Sequence, residues 1–114
     1  MSEEQEKYNI LGLPDPVVLY RRVFVDITGS VKAALVLSEA VYWQEFENQD
    51  DGWWCKTFEE WHANTGLTRH EFDKARNDCQ KYLKSELRGL PARNYWKVDG
   101  EALKAAILEH RRKA

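Results

Sequence analysis

TFEEWHANTGLTRHEFDKARNDCQK, residues 57–81, contains two helix-start signals eleven residues apart. Thr57 is followed three residues later by Glu60, and Thr68 is followed three residues later by Glu71. In this pattern the Thr hydroxyl accepts a hydrogen bond from a backbone N–H of the first turn, and the Glu side chain accepts one from the N–H of the Thr. Each pair therefore predicts the beginning of a helix.

The residues between these two signals predict a tight turn. Asn64-Thr65-Gly66 precedes the second signal, and Gly66 can adopt the left-handed conformation that ends a helix. A short helix, a turn and a longer helix over residues 69–83 form the layout of a helix-turn-helix, whose second helix commonly enters the major groove of DNA.

The second predicted helix has one apolar side and one polar side. Its apolar residues follow the spacing of a buried helical stripe. They are Phe72, Ala75, Cys79 and Leu83. The opposite side presents Arg69, His70, Asp73, Lys74, Asn77 and Lys81.

The chain before this motif predicts a long helix and a short strand. Ser30 is a good N-cap for a helix over residues 31–48. Its predicted buried stripe consists of Val31, Ala34, Leu35, Ser38, Val41, Tyr42 and Phe46. Residues 53–56 predict a short strand, whereas VVLYRRVFV at residues 17–25 fits either a strand or a helical turn.

The chain after the motif predicts a β-hairpin and a last helix. SELRG (85–89) and NYWKV (94–98) form the hairpin strands, anchored by Leu87, Tyr95 and Trp96. Asp99 caps a helix over residues 100–114. The predicted fold class is mainly α with a small β-hairpin (α+β), a winged helix-turn-helix. Its expected parts are a tail and packing segment (1–29), the winged domain (30–99) and the last helix (100–114).

Composition restricts the function. Net charge is −2, which disfavours strong nonspecific binding of nucleic acid, but residues 81–97 carry five cations against Glu86 alone. Cys55 and Cys79 are expected to be small buried hydrophobes rather than metal ligands. No nucleotide-binding or hydrolase motif is present, so we expect no enzyme, cofactor or metal. The absence of a secretory signal or spanning segment predicts a cytoplasmic protein with no membrane partner.

Three stretches resemble the winged helix domain of replication-associated proteins from bacteriophages and conjugative elements. They are VKAALVLSEAVYWQE (31–45), DGWWCKTFEEWHANTGLTRHEFDKARNDCQKYL (51–83) and GLPARNYWKVD (89–99). The resemblance covers residues 31–103 and rests on packing and turn residues. It implies binding to double-stranded DNA, or to a replication or regulatory protein.

The expected function is binding of double-stranded DNA by a transcription regulator or replication accessory. Arg and Asn side chains would read bases, and Lys would neutralise phosphate. The candidate DNA-binding residues are Thr68, Arg69, His70, Lys74, Asn77 and Lys81 on the motif, and Arg88, Arg93 and Lys97 on the wing. The alternative is a protein–protein interaction module that uses the same scaffold without DNA.

The role of the last helix stays open. Its apolar side consists of Leu103, Ala106, Ile107 and His110. This side either mediates homodimer formation or covers the protein's own core.

Overall fold

The computed structural model describes residues 11–14, 17–46 and 51–113, in which five helices accompany a three-stranded antiparallel sheet. The helices are α1 (Arg22–Thr28), α2 (Val31–Phe46), α3 (Phe58–Thr65), α4 (Arg69–Asp78) and α5 (Gly100–Lys113). The strands are β1 (Trp54–Cys55), β2 (Leu83–Arg88) and β3 (Arg93–Val98). The predicted α+β class is confirmed. The predicted tail at residues 1–9 lies outside the described residues, as do residues 47–50.

Both predicted capping boxes are formed. The Thr57 hydroxyl accepts from the backbone N–H of Glu60 at 3.2 Å, and Thr68 accepts from Glu71 at the same distance. Gly66 ends α3 in the left-handed region with φ 76°, and its N–H donates to the carbonyl of His62 at 2.8 Å. Local side-chain chemistry therefore fixes both ends of the turn between α3 and α4.

The second motif helix is shorter than predicted, since α4 ends at Asp78 rather than near residue 83. The backbone N–H groups of Tyr82 and Leu83 both donate to the carbonyl of Cys79, so the chain turns there. Leu83 then begins β2 and remains buried, as expected. Lys81 consequently lies in an exposed turn after α4, not on the helix surface where the sequence places it.

Helices α1 and α2 show the conformation of the ambiguous segment at residues 17–25 and correct the predicted buried stripe of α2. The ambiguous apolar segment contributes to helix α1, and the Ser30 hydroxyl caps α2 by accepting from Ala33 N at 3.2 Å. The predicted stripe on α2 is wrong at its ends, because Val31 and Phe46 are 50% and 59% exposed. Helix α2 packs against α1, α3, α4 and β3, so its buried surface is wider than one stripe. The buried residues of α2 are Ala33, Ala34, Val36, Leu37, Ser38 and Ala40.

The sheet has the strand order β1-β3-β2 and separates an inner from an outer face. Trp54 pairs with Trp96, and both side chains are buried in the core on the inner face. Cys55 pairs with Tyr95 on the outer face and is exposed, which corrects the prediction that this thiol is buried. Leu87 lies on the inner face but beyond the edge of the core, at 68% exposure, so it does not anchor the hairpin.

Aromatic rings from four elements meet in the core. Trp61 of α3 lies 5.9 Å from Trp54, 5.3 Å from Phe72 and 5.4 Å from Trp96, measured between ring centroids. One charged side chain accompanies them among the described buried residues: Lys56, whose ammonium lies 4.3 Å from the Trp43 ring centroid. Burial lowers the pKa of Lys56, and the ring faces stabilise its charge.

Helix α5 covers the core, as one of the two alternatives for its apolar side expects. Asp99 caps it by accepting from the N–H of Ala102 at 3.1 Å, and Leu103 is buried. Helix α5 packs on α1, where His110 approaches Asp26 at 3.3 Å. Across the described ranges, no helix combines the length and apolar composition needed to span a bilayer.

The two thiols are expected to react differently. Burial raises the pKa of Cys79 to about 12, while Cys55 is exposed on the outer face of the sheet. Because the thiolate is the reactive form, a disulfide reagent should label one thiol in the folded protein and both in denaturant. Rapid labelling of Cys79 in the folded protein, identified by peptide mass, would contradict the placement of this residue.

Candidate nucleic-acid interface

Helix α4 presents a polar surface whose orientation is fixed by burial of its opposite side. Phe72 and Ala75 are buried, which directs Arg69, Lys74 and Asn77 toward solvent. His70 and Thr68 are also exposed, at the beginning of the helix. The predicted candidate residues from Thr68 to Asn77 therefore lie together on one helix, away from the core.

The beginning of α4 is held to α2 by a charged contact. Lys32 of α2 forms a salt bridge with Glu71, whose side chain also accepts from the N–H of Thr68 at 3.0 Å. The bond from Lys32 and those from Thr68 lower the pKa of Glu71 from an ordinary value of 4.5 to about 2. Glu71 therefore closes the capping box and also joins two helices.

Protein stability is expected to depend on the protonation of Glu71. Because the pKa of Glu71 is lower in the folded state, its contribution is complete above pH 4.5 and is lost as pH falls toward 2. When pH is lowered from 4.5 toward 2, the free energy of unfolding measured in urea should fall less for Glu71→Gln than for the wild type. Glu59→Gln, in the first turn of α3, is the matched control and should keep the wild-type dependence.

Two of the cations on α4 already have partners on the same helix. Arg69 contacts Asp73 at 3.4 Å, and Lys74 contacts Asp78 at 3.5 Å. The Arg69 and Lys74 side chains are 66% and 73% exposed, and ion pairs of exposed side chains contribute little free energy in water. These two ion pairs therefore do not hold the Arg69 and Lys74 side chains strongly.

Four of the other candidate side chains have no partner in the described parts of the chain. Among the described residues, no hydrogen bond or ion pair engages the side chains of His70, Asn77, Lys81 or Arg93, and all four are exposed. An exposed, unengaged Asn on a helix surface can donate to and accept from the edge of an adenine base.

The hairpin cations have a different environment. Arg88 bonds to Glu86 and to Asp51, the latter at 2.9 Å, and Lys97 donates to the backbone carbonyl of Asp51 at 2.9 Å. The bonds to Glu86, first, and to Asp51 raise the pKa of Arg88. The pKa of Asp51 is lowered, first by the N–H of Trp53 and then by Arg88.

The structure divides the predicted site into two surfaces. Arg88, Arg93 and Lys97 lie on the outer face of the hairpin, opposite Trp96, whereas α4 packs on the core side, where Arg76 lies over the Trp96 ring. Lys81 lies in the turn between them. Sequence patterns did not identify Asp51 as a partner of the hairpin cations, because it lies 37 residues from Arg88 along the chain.

Comparison with known proteins adds no assignment: no protein-family model, curated protein or solved structure matches the chain. The two surfaces themselves are therefore the basis for assigning a function.

Proposed function

We propose that the chain is a winged helix-turn-helix protein that binds double-stranded DNA through α4. The order of α2, β1, α3, α4 and the β2–β3 hairpin is that of a winged helix domain, with the hairpin as the wing. The three-residue connection between α3 and α4 matches the short turn of a helix-turn-helix. On this proposal α4 would be the helix that enters the major groove.

The exposed polar side of α4 is the observation that carries this proposal. On this proposal Arg69 would bond guanine, Asn77 would bond adenine, and Lys74 would neutralise phosphate. Thr68 and the first backbone N–H groups of α4 lie where a phosphate would meet the positive end of the helix dipole. Arg88, Arg93 and Lys97 on the wing, together with Lys81, would contact the flanking backbone.

The biological role rests on the sequence resemblance. The resemblance to winged helix domains of bacteriophages and conjugative elements favours a role as a cytoplasmic transcription regulator or replication accessory. The resemblance covers packing and turn residues that also form the core here, including Trp54, Trp61 and Trp96.

Titration of duplex DNA at several salt concentrations tests the proposal. Fluorescence anisotropy of labelled duplexes should show binding. The logarithm of the binding constant should fall linearly with the logarithm of the salt concentration. Arg93→Ala with Lys97→Ala should weaken binding on all sequences and reduce the slope by about one per lost phosphate contact. Asn77→Ala should instead relax the preference among sequences.

The matched control removes the same charge elsewhere. Lys104→Ala with Arg111→Ala changes two exposed cations on α5 and should leave the slope near that of the wild type. Equal losses in both double variants would mean that only total charge matters, and the proposed interface would be wrong.

Protein binding without DNA is the second candidate function. Arg69 and Lys74 are each paired with an aspartate on α4, and apolar side chains such as Phe46 and Leu90 are exposed. Neutralised cations on α4, together with exposed apolar groups at the end of α2 and the tip of the hairpin, suit a protein partner. Absence of duplex binding at low salt would favour this second function.

A further inference from the structure

The outer face of the sheet, which the duplex proposal uses only in part, carries an unusual arrangement of charge. Its cross-strand pairs are Lys84 with Lys97, Glu86 with Tyr95, and Arg88 with Arg93. Two of these three pairs place like charges directly opposite each other, which destabilises a hairpin. An anion bound on this face would relieve that repulsion.

Nearby acidic groups compensate this charge only in part. Lys84 contacts Asp99 at 3.6 Å, and Arg88 bonds to Glu86 and Asp51. Arg93, at the tip of the hairpin, has no ion-pair partner in the described parts of the chain. The face therefore keeps positive charge available to a ligand.

Planar groups lie in the middle of this face. The guanidinium carbon of Arg88 lies 5.0 Å from the ring centroid of Tyr95 and 5.0 Å from that of Trp53. Both aromatic side chains are half-buried, so part of each remains accessible. The buried strand residues Trp54, Leu83 and Trp96 all lie on the inner face, which leaves this face without a covering core.

We propose that the outer sheet face binds a single-stranded nucleic acid. Bases would stack on Tyr95, Trp53 and the Arg88 guanidinium, and phosphates would lie against Lys84, Arg93 and Lys97. Charge complementarity selects a polyanion, and the planar cluster selects one with accessible bases. A duplex keeps its bases stacked inside, and an acidic peptide has none. This site does not depend on duplex binding by α4.

Three probes separate stacking from charge alone: labelled oligothymidylate, an abasic oligomer of the same length, and a duplex. At low salt the protein should bind oligothymidylate at least about tenfold more tightly than the abasic oligomer, since each stacked base contributes substantially. Tyr95→Leu should weaken oligothymidylate binding about tenfold and leave duplex binding unchanged. Tyr20→Leu, an exposed tyrosine outside the sheet, is the matched control.

Trp53→Leu provides a second variant if the sheet does not tolerate the change at Tyr95, because Trp53 precedes β1. Equal binding of the abasic and normal oligomers, or no effect of either variant, would overturn the proposal. No binding of oligothymidylate would overturn it as well. A relaxed sequence preference for duplex in Asn77→Ala, with intact oligothymidylate binding, would support two separate sites. Failure of duplex binding alone would affect only the function proposed for α4.

Discussion

Replacement of Trp61 by alanine is expected to lower the free energy of unfolding by about 3–5 kcal/mol, the usual cost of removing a buried aromatic side chain. Trp61 is fully buried and contacts the rings of Trp54, Phe72 and Trp96. The rings come from separate elements, so they cannot easily close the cavity. Because domains of this size are stable by only about 5–15 kcal/mol, the variant should unfold at a much lower urea concentration.

Phenylalanine variants test the same core without a large cavity. Trp96 donates from its ring nitrogen to the Lys56 carbonyl at 2.9 Å in a buried hydrogen bond. The ring nitrogen of Trp61 has no partner among the described residues. Trp96→Phe therefore loses a hydrogen bond and leaves a buried acceptor unpaired, whereas Trp61→Phe does not. Urea unfolding should show the larger loss for Trp96→Phe, and the reverse order would contradict the arrangement of the core.

Replacement of Gln44 by leucine is expected to lower the free energy of unfolding by about 2–4 kcal/mol, because it leaves several polar groups unpaired. The Gln44 side-chain oxygen accepts from the Trp54 ring nitrogen at 2.8 Å and from the backbone N–H of Val98 at 2.9 Å. Its amide nitrogen donates to the Gly52 carbonyl at 2.7 Å. One side chain of α2 therefore connects the helix to two strands.

Gln44→Glu separates the roles of this side chain. Glutamate keeps both acceptor bonds but places a second carboxylate oxygen against the Gly52 carbonyl, so stability should recover relative to leucine where the side chain is protonated and can donate to Gly52 again. Gln80→Leu is the matched control, since Gln80 is exposed in the turn after α4. Equal stability of Gln44→Leu and Gln80→Leu in urea would show that Gln44 does not connect these elements.

Features governed by neighbouring residues were predictable from the sequence. The pairs Thr57 with Glu60 and Thr68 with Glu71 act within one helical turn, so they indicate the beginnings of α3 and α4 directly. The exposed side of α4 was predictable for the same reason, because the spacing of Phe72 and Ala75 specifies the buried side.

Features governed by distant residues were not predictable. The bonds of Gln44 to Val98 and of Arg88 to Asp51 join segments that approach each other only in the folded chain. Because successive side chains of a strand alternate between its two faces, Trp54 and Cys55 must face opposite ways, but this rule does not specify which one faces the core. A helix such as α2 buries several sides because several elements surround it, and no single periodicity describes that surface.

Amide NMR spectra during titration with duplex DNA test the central claim most directly, which is that α4 forms the DNA-binding surface. At low salt, the largest shift changes should fall on residues 68–77, with smaller changes at Arg93 and the tip of the hairpin. The proposed interface would be contradicted if the α4 resonances did not change at saturating duplex, or if the shift changes were confined to α1 and α5.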